Sequence, residues 1–442
     1  MKKSTFTLAM LAGHVALFSV TPAFAAGFIE DSNATVAARN FYYQRDDKNT
    51  ADNRNEANEW GQALLFNYKS GYTQSALGLG VDVTGLVGVR LDGGGDGDIN
   101  DSRKPGQLFP LDSDGSAVST YSKAGITAKA KVAGTELKIG ALQPKLPVAT
   151  FNDGRLLPQL FEGGQIVSND IKPFTLTAGQ LVNTKTRSST DNVGLRVGGS
   201  TVDAESDGFY FLGADYKISP TITAQYYFGL LDDYYRQHFI GLTHNSAFAV
   251  GNLKTDLRYF DSHSVGKNST VAGRAAGYKS SGYWESTDTQ KGEIDNRTWS
   301  LLFTYSLQGH SIDLGHQRVV GKSDFPFLNQ GDGSSTHLIT DRQIGKFQNA
   351  GEQTWLAGYG YDFAQAGIPG LKASVVYLTG EHIASANRQT REWERDIRLD
   401  YSVQQGALKG VNLSWRNASL RGNDVTDQDE NRLIISYSVA LK

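Results

Sequence analysis

The segment Arg432-Leu433-Ile434-Ile435-Ser436-Tyr437-Ser438-Val439-Ala440-Leu441-Lys442 decides the fold. Leu433, Ile435, Tyr437, Val439 and Leu441 share one parity, while Arg432, Ser436, Ser438 and Ala440 share the other with Ile434. A strand sends alternate side chains to opposite faces, so one face here is continuously apolar. Terminal residues fray unless something ties them down. So regular a strand at the end of a chain therefore reads as the last stave of a closed barrel. Arg432 points away from its apolar face.

The same alternation recurs throughout. Leu77, Leu79, Val81 and Val83 oppose Asp82 and Thr84, and Ile126, Ala128, Ala130 and Val132 oppose Thr127, Lys129 and Lys131. Ile222, Ala224, Tyr226, Phe228 and Leu230 form another apolar row. Trp299 to Leu307, Trp355 to Phe363 and Trp393 to Tyr401 repeat the pattern with aromatic residues near strand ends. Turn-rich stretches such as Asp92–Asp98, Ser188–Asp191 and Gly331–Ser335 separate the rows. Segments of about ten alternating residues are the mark of an antiparallel transmembrane β-barrel. The alternative is a soluble secreted β-sandwich or β-helix array. Single-sided aromatic faces, an export signal and the absence of Cys argue against it.

That signal occupies residues 1–25. Lys2 and Lys3 are followed by an apolar run from Thr7 to Val20 and by Ala23-Phe24-Ala25, the plan of a cleavable signal peptide. The run is short for a membrane-anchoring helix. Removing these residues leaves 417 and, with Lys2 and Lys3 gone, takes the formal charge from −3 to −5. At roughly 23 residues per strand and connection, residues 26–442 make a single barrel of about 18 strands. Such a barrel leaves an aqueous lumen whose charges decide what passes. Gly (49), Tyr (20) and Phe (21) are abundant and Pro (10) is scarce, as strands and turns require. Without Cys there is no disulfide scaffold, Cys-ligated metal or Cys nucleophile.

Other chemistry is not encoded. There is no nucleophile elbow, no H-E-x-x-H and no phosphate-binding loop. His310 and His316 lie six apart on a strand, which is no ligand cluster. Asp96 to Asp101 begins like a calcium loop, but Asp101 stands where Gly is needed and Gln107 where Glu is needed. It reads as an exposed acidic loop. No enzyme, cofactor, metal or nucleic-acid partner is expected.

The polar parity carries arginines. Arg398, Arg416 and Arg432 oppose the apolar faces of the last three strand candidates, and Arg39 and Arg45 share a parity in the first with Phe41 and Tyr43 between them. Arg90, opposite Val87, Val89 and Leu91, is a further candidate. In a closed barrel the first strand meets the last, which sets Arg39 and Arg45 beside Arg432. A guanidinium keeps its charge and offers a planar donor fork that suits carboxylates. Parity alone leaves two readings open: a solute-binding stripe, or arginines that pair with lumen acids such as Asp396 and Asp400.

Several motifs carry a resemblance. Gly27-Phe28-Ile29-Glu30-Asp31-Ser32 is followed by Arg39-Asn40-Phe41-Tyr42-Tyr43-Gln44-Arg45-Asp46. Gln143-Pro144, Pro147-Val148, Arg155-Leu156-Leu157-Pro158-Gln159 and Leu231-Asp232-Asp233-Tyr234-Tyr235-Arg236-Gln237 come next. Thr298-Trp299-Ser300-Leu301, Gly367-Ile368-Pro369-Gly370-Leu371 and Asn431-Arg432-Leu433-Ile434 close the series. Together they resemble, in order and over nearly the whole chain, the OprD family of substrate-specific outer-membrane porins of pseudomonads, the carboxylate channels.

The resemblance implies an 18-stranded barrel with a third extracellular loop folded inward, matched here by Pro147 to Gly164. It implies a ladder of basic residues at Arg39, Arg45, Arg155, Arg416 and Arg432, to which parity adds Arg398. Ser414 replaces an Arg found in the basic-amino-acid member, so the ladder is altered. Gly331-Asp332-Gly333-Ser334-Ser335 resembles the seventh-loop segment facing the ladder, which places Asp332 and Ser334 on the acidic and polar side. Lys442 has no role on this reading, since members more often end on an apolar residue. The opening and the Asn49 to Trp60 segment are similar to the subgroup for cyclic or aromatic carboxylates, such as benzoate-like or vanillate-like acids. The expected function is passive, selective uptake of small carboxylates. The rivals are a channel for basic amino acids or peptides, a general diffusion porin, and an outer-membrane enzyme or adhesin. Outer-membrane lipid is the expected surrounding. A monomer and a homotrimer both stay open, because lipid contacts and trimer contacts are alike apolar.

Overall fold

The computed structural model describes residues 27–50, 53–95, 101–328, 335–386 and 390–442. The export signal, Asp96 to Asn100 of the acidic loop, and Asp332 and Ser334 lie outside the described residues.

Eighteen strands make one antiparallel sheet. They are β1 (Asn33–Asp47), β2 (Glu56–Lys69), β3 (Gly78–Asp92), β4 (Thr120–Val132), β5 (Thr135–Leu142), β8 (Leu160–Ser168), β9 (Phe174–Lys185), β10 (Phe209–Lys217) and β11 (Ile222–Leu231). The circuit continues with β12 (Tyr235–Ala247), β13 (Asn252–Ser264), β14 (Asp295–Leu307), β15 (His310–Gly321), β16 (Gln353–Asp362), β17 (Leu371–Ile383), β18 (Thr390–Ser402), β19 (Asn412–Gly422) and β20 (Gln428–Ala440). A separate hairpin, β6 (Lys145–Leu146) with β7 (Ala149–Thr150), lies in the third loop.

The barrel closes where the terminal segment indicates. β1 pairs with β20 from Thr35 opposite Ala440 to Asp47 opposite Gln428. Beyond the strand, Leu441 N–H donates to Ala34 O (2.7 Å) and Ala34 N–H to Lys442 O (3.2 Å). Lys442 thus has a local role, for its Nζ also donates to Ile29 O. Leu433, Ile435, Tyr437 and Val439 face outward, each between 37% and 43% exposed, and Arg432 is buried inside. β4 repeats the division: Ile126 faces out, while Lys123, Thr127 and Lys129 are buried on the lumen side.

The two ends of the barrel differ. The termini share one end with tight turns such as Gln308-Gly309, whose φ values of 47° and 85° make a two-residue turn that fits the right-handed strand twist. Most connections at the other end are long. Outer-membrane barrels carry short periplasmic turns and longer extracellular loops, which orients the molecule.

The third loop, residues 143–159, enters the lumen. It ends before the expected boundary, because Gly163 and Gly164 belong to β8. Gly163 serves close strand pairing rather than a turn: a Cβ there would lie 2.0 Å from Gln180 O, beside a register shift at Glu162/Gly163. Leu156 and Leu157 are fully buried in a cluster with Phe41, Tyr43, Phe109 and Tyr121. Gly61 and Gly88 make room for Leu156, since a Cβ on either would come within 2.6 Å or 3.2 Å of its Cδ2. Buried Lys123 clamps the loop's exit, donating to Pro158 O (3.1 Å), Arg187 O (2.9 Å) and Thr186 O. The seventh loop, residues 322–352, also turns inward and meets the third at a bridge between Thr150 and Ser335.

Candidate functional site

Strand register builds the site. Arg398 stands opposite Arg416, Arg416 opposite Arg432, and Arg432 opposite Tyr43. Like charges directly opposite one another destabilise a sheet, so such a row needs compensation.

Most of it is supplied locally. Arg432 Nε donates to Glu430 Oε1 (2.5 Å), Nη2 to Gln343 O (2.8 Å) and Nη1 to Gly154 O (3.4 Å). Glu430, itself buried, accepts from Tyr43 Oη (2.7 Å) and Gln343 Nε2 (3.1 Å). Arg155 stacks over the Tyr43 ring at 4.5 Å, a favourable cation–π geometry, with Nη2 3.9 Å from Glu430. Arg398 pairs with Asp400 (2.5 Å) and Arg45 with Asp47 (3.1 Å), each two residues along its own strand. Arg39 forms a bidentate pair with Asp153 of the third loop (2.8 and 3.1 Å) and donates to Arg155 O and Leu156 O.

Arg416 differs. Its Nε donates to Ser414 Oγ (3.2 Å), and among the described residues no carboxylate pairs with it. Ser414 itself lines the inner of two cavities. Arg416, Arg398 and Gly154 line two cavities at once. The outer cavity, about 580 Å³, carries seven basic side chains (Arg155, Arg187, Arg342, Lys346, Arg398, Arg416, Arg432) against the carboxylates of Asp341 and Asp396. The inner one, about 620 Å³, reaches towards the short turns past Arg39, Phe41 and Ile434. Gly154, Arg398 and Arg416 therefore stand at the junction, the waist, between them.

Arg39, Arg155, Arg398, Arg416 and Arg432 thus border the two cavities, and Arg45 stands two residues beyond Tyr43 on the same face. Arg90 does not join them, as its guanidinium donates to Ala117 O in the second loop. Asp332 and Ser334 lie outside the described residues; the described part of the seventh loop presents Asp341, which accepts from Thr336 N–H (2.6 Å) and pairs with Lys346 (3.2 Å). That loop is seated by acids: Glu394 accepts from Ile344 N–H (3.0 Å) and Gly345 N–H (2.5 Å). Burial, with Glu392 beside it, pushes the Glu352 carboxyl well above the usual carboxylate range. Burial, aided by Arg258, pushes the His337 imidazole down to about 3.

Sequence reasoning missed Glu430, Tyr43, Asp153 and Gln343 as partners. Glu430 and Tyr43 share the parity of their arginines and were open to discovery. Asp153 and Gln343 lie in loops, where no periodicity reports direction. Among the described residues no group of three or more His, Cys, Asp or Glu is placed to hold a metal ion. His310 bonds Tyr359 Oη (2.7 Å), and His316 packs between Trp299 and Trp355.

Residues 26–441 match the family described as outer membrane porin, OprD family. The chain is 33% identical over 425 residues to the porin-like protein GalP of Pseudomonas putida, covering 95% of this chain and 94% of that one. Among solved structures it is similar to Pseudomonas aeruginosa OccK8 (OprE), at 53% identity and a TM-score of 0.86, covering 94% of this chain and all of the other. It is also similar to Pseudomonas aeruginosa OpdK with vanillate, at 34% identity and a TM-score of 0.82, with the same coverage. The chain belongs to the OprD family of outer membrane porins, and it is a channel of the bacterial outer membrane rather than an enzyme.

Proposed function

We propose that this porin passes small carboxylates, with aromatic or cyclic monocarboxylates favoured, and that Arg416 is the guanidinium they meet at the waist. The observation that carries this reading is the contrast within the arginine row. Arg432 and Arg398 have carboxylate partners at 2.5 Å, whereas Arg416, among the described residues, donates only to Ser414 and borders both cavities. An arginine fork open to the lumen suits a planar anion.

Chemistry beside the fork supports the aromatic preference. Half-buried Ile434 lines the inner cavity with the largely covered Phe41 opposite it, and Arg432 and Tyr43 are the next pair on that face. A ring can lie on this apolar surface while its carboxylate stays with Arg416. The likeness to OpdK, a relative whose structure holds vanillate, is consistent with it.

Transport on this reading is downhill. The outer cavity, with its excess of basic side chains, concentrates anions by its local field. The anion exchanges part of its hydration for Arg416, crosses beside Gly154, and leaves through the inner cavity. Binding is weak and divided among several groups, since a tightly held solute would not depart. Export with removal of residues 1–25 completes the proposal.

Liposome swelling tests it. Benzoate and a vanillate-like acid should enter faster than a neutral ring of equal size and faster than arginine. Equal rates for acid and neutral ring would leave a general diffusion porin. Faster arginine uptake would move the channel to the basic-amino-acid class.

A further inference from the structure

We propose that Asp153 is a tethered carboxylate which a permeating carboxylate displaces from Arg39, so that Arg39 passes between an internal and an incoming anion. The inference rests on the carboxylate reading above. Within residues 143–159, the inward loop, Asp153 is the one acidic residue. Both of its oxygens engage Arg39, at 2.8 and 3.1 Å, which is the fork geometry a solute carboxylate would adopt.

The other pairs do not lend themselves to exchange. Arg432 and Glu430 are buried together, with side chains 6% and 3% exposed. Arg398 with Asp400 and Arg45 with Asp47 are fixed by strand spacing. Asp153 is 45% exposed and borders the inner cavity with Arg398 and Arg416. Asp153, the more exposed partner, can turn from the Arg39 fork into the inner cavity, so an incoming carboxylate can compete for that fork.

The loop does not depend on this pair. Gly154 N–H donates to Asn152 Oδ1 (2.6 Å), Gln159 N–H to Asn152 O (2.8 Å), and Leu156 and Leu157 are buried. Arg39 keeps Arg155 O and Leu156 O as acceptors. Removing the charge of Asp153 therefore leaves the loop seated and Arg39 open.

The test is benzoate conductance through single channels of the wild type, Asp153→Asn and Asp153→Glu. In Asp153→Asn the half-saturating benzoate concentration should fall, roughly two- to fivefold, and the maximal current should fall with it because release slows. Asp153→Glu, which restores the charge on a longer arm, should bring the half-saturating concentration back towards the wild-type value. If the wild type saturates and Asp153→Asn has the same half-saturation, the proposal is overturned while the carboxylate reading stands. Higher conductance and noise in Asp153→Asn at unchanged half-saturation would make Asp153 a loop support and overturn it likewise. A wild type that never saturates would remove both.

Discussion

Leu156→Ala should loosen the constriction loop without dissolving the barrel. Leu156 is fully buried in a socket formed by Gly61, Gly88 and Phe109. The substitution deletes three carbons, worth about 2.4 kcal/mol in transfer at ~0.8 kcal/mol each, and the partly unfilled socket adds to that. A total of about 3 kcal/mol follows, within the usual range for buried Leu→Ala. The barrel is closed by backbone pairing of β1 with β20 and does not need the loop for continuity. The loss should therefore appear as local opening, with the displaced loop roughly 100-fold more populated. Hydrogen exchange of the 153–159 amides and open-channel current noise report it. Both should rise while the detergent melting temperature moves little. Gly61→Ala, whose new Cβ would press on Leu156 Cδ2, should act in the same direction. Unchanged exchange and noise in Leu156→Ala would refute the idea that this socket seats the loop.

Three further outcomes follow from other parts of the lumen. Glu430→Gln removes the carboxylate between Arg432 and Arg155 and leaves charge uncompensated in a buried place, so urea unfolding in detergent should show a loss of about 3–5 kcal/mol. Lys123→Met strips the third loop and the segment just after β9 of a shared donor to three carbonyls; proteolysis near Pro158 and Arg187 should speed up, while a rate equal to the wild type would deny the clamp. His337 is held neutral in the fold with its pKa at about 3, against 6.5 ordinarily, so the unfolded chain binds the extra proton between those values. Its stabilising contribution is full above pH 6.5 and is lost as pH falls towards 3; a titrated melt should lose less stability between pH 6.5 and 4.5 in His337→Phe than in the wild type.

The fold was legible because a barrel wall is written as parity. Leu433 to Leu441 announced an outward face and a closing strand, and Arg398, Arg416 and Arg432 were assignable to the lumen for the same reason. The side of a strand is fixed by a period of two, and closure then makes strangers in sequence, such as Arg39 and Ser436, into neighbours. Pairing was less legible. Parity states that Arg432 and Glu430 share a face but not that Glu430 serves Arg432, Arg155 and Tyr43 together. Asp153 and Gln343 reach their arginines from loops, over sequence separations of 114 and 89 residues, with no periodic signal to report it. The boundary at Gly163-Gly164 went astray because glycine marks both turns and close strand approach, and here it marks the second. Of the two readings of the arginines, pairing with acids accounts for Arg398, Arg432 and Arg45, while Arg416 stands apart from it.

The most direct measurement is benzoate current against concentration, in one bilayer series, for the wild type and Arg416→Gln. If Arg416 is the guanidinium that reads the solute, the wild-type current saturates. The Arg416→Gln current then rises almost in proportion to concentration, with chloride conductance largely kept. Equal saturation in both channels, or none in either, would contradict a carboxylate site at Arg416.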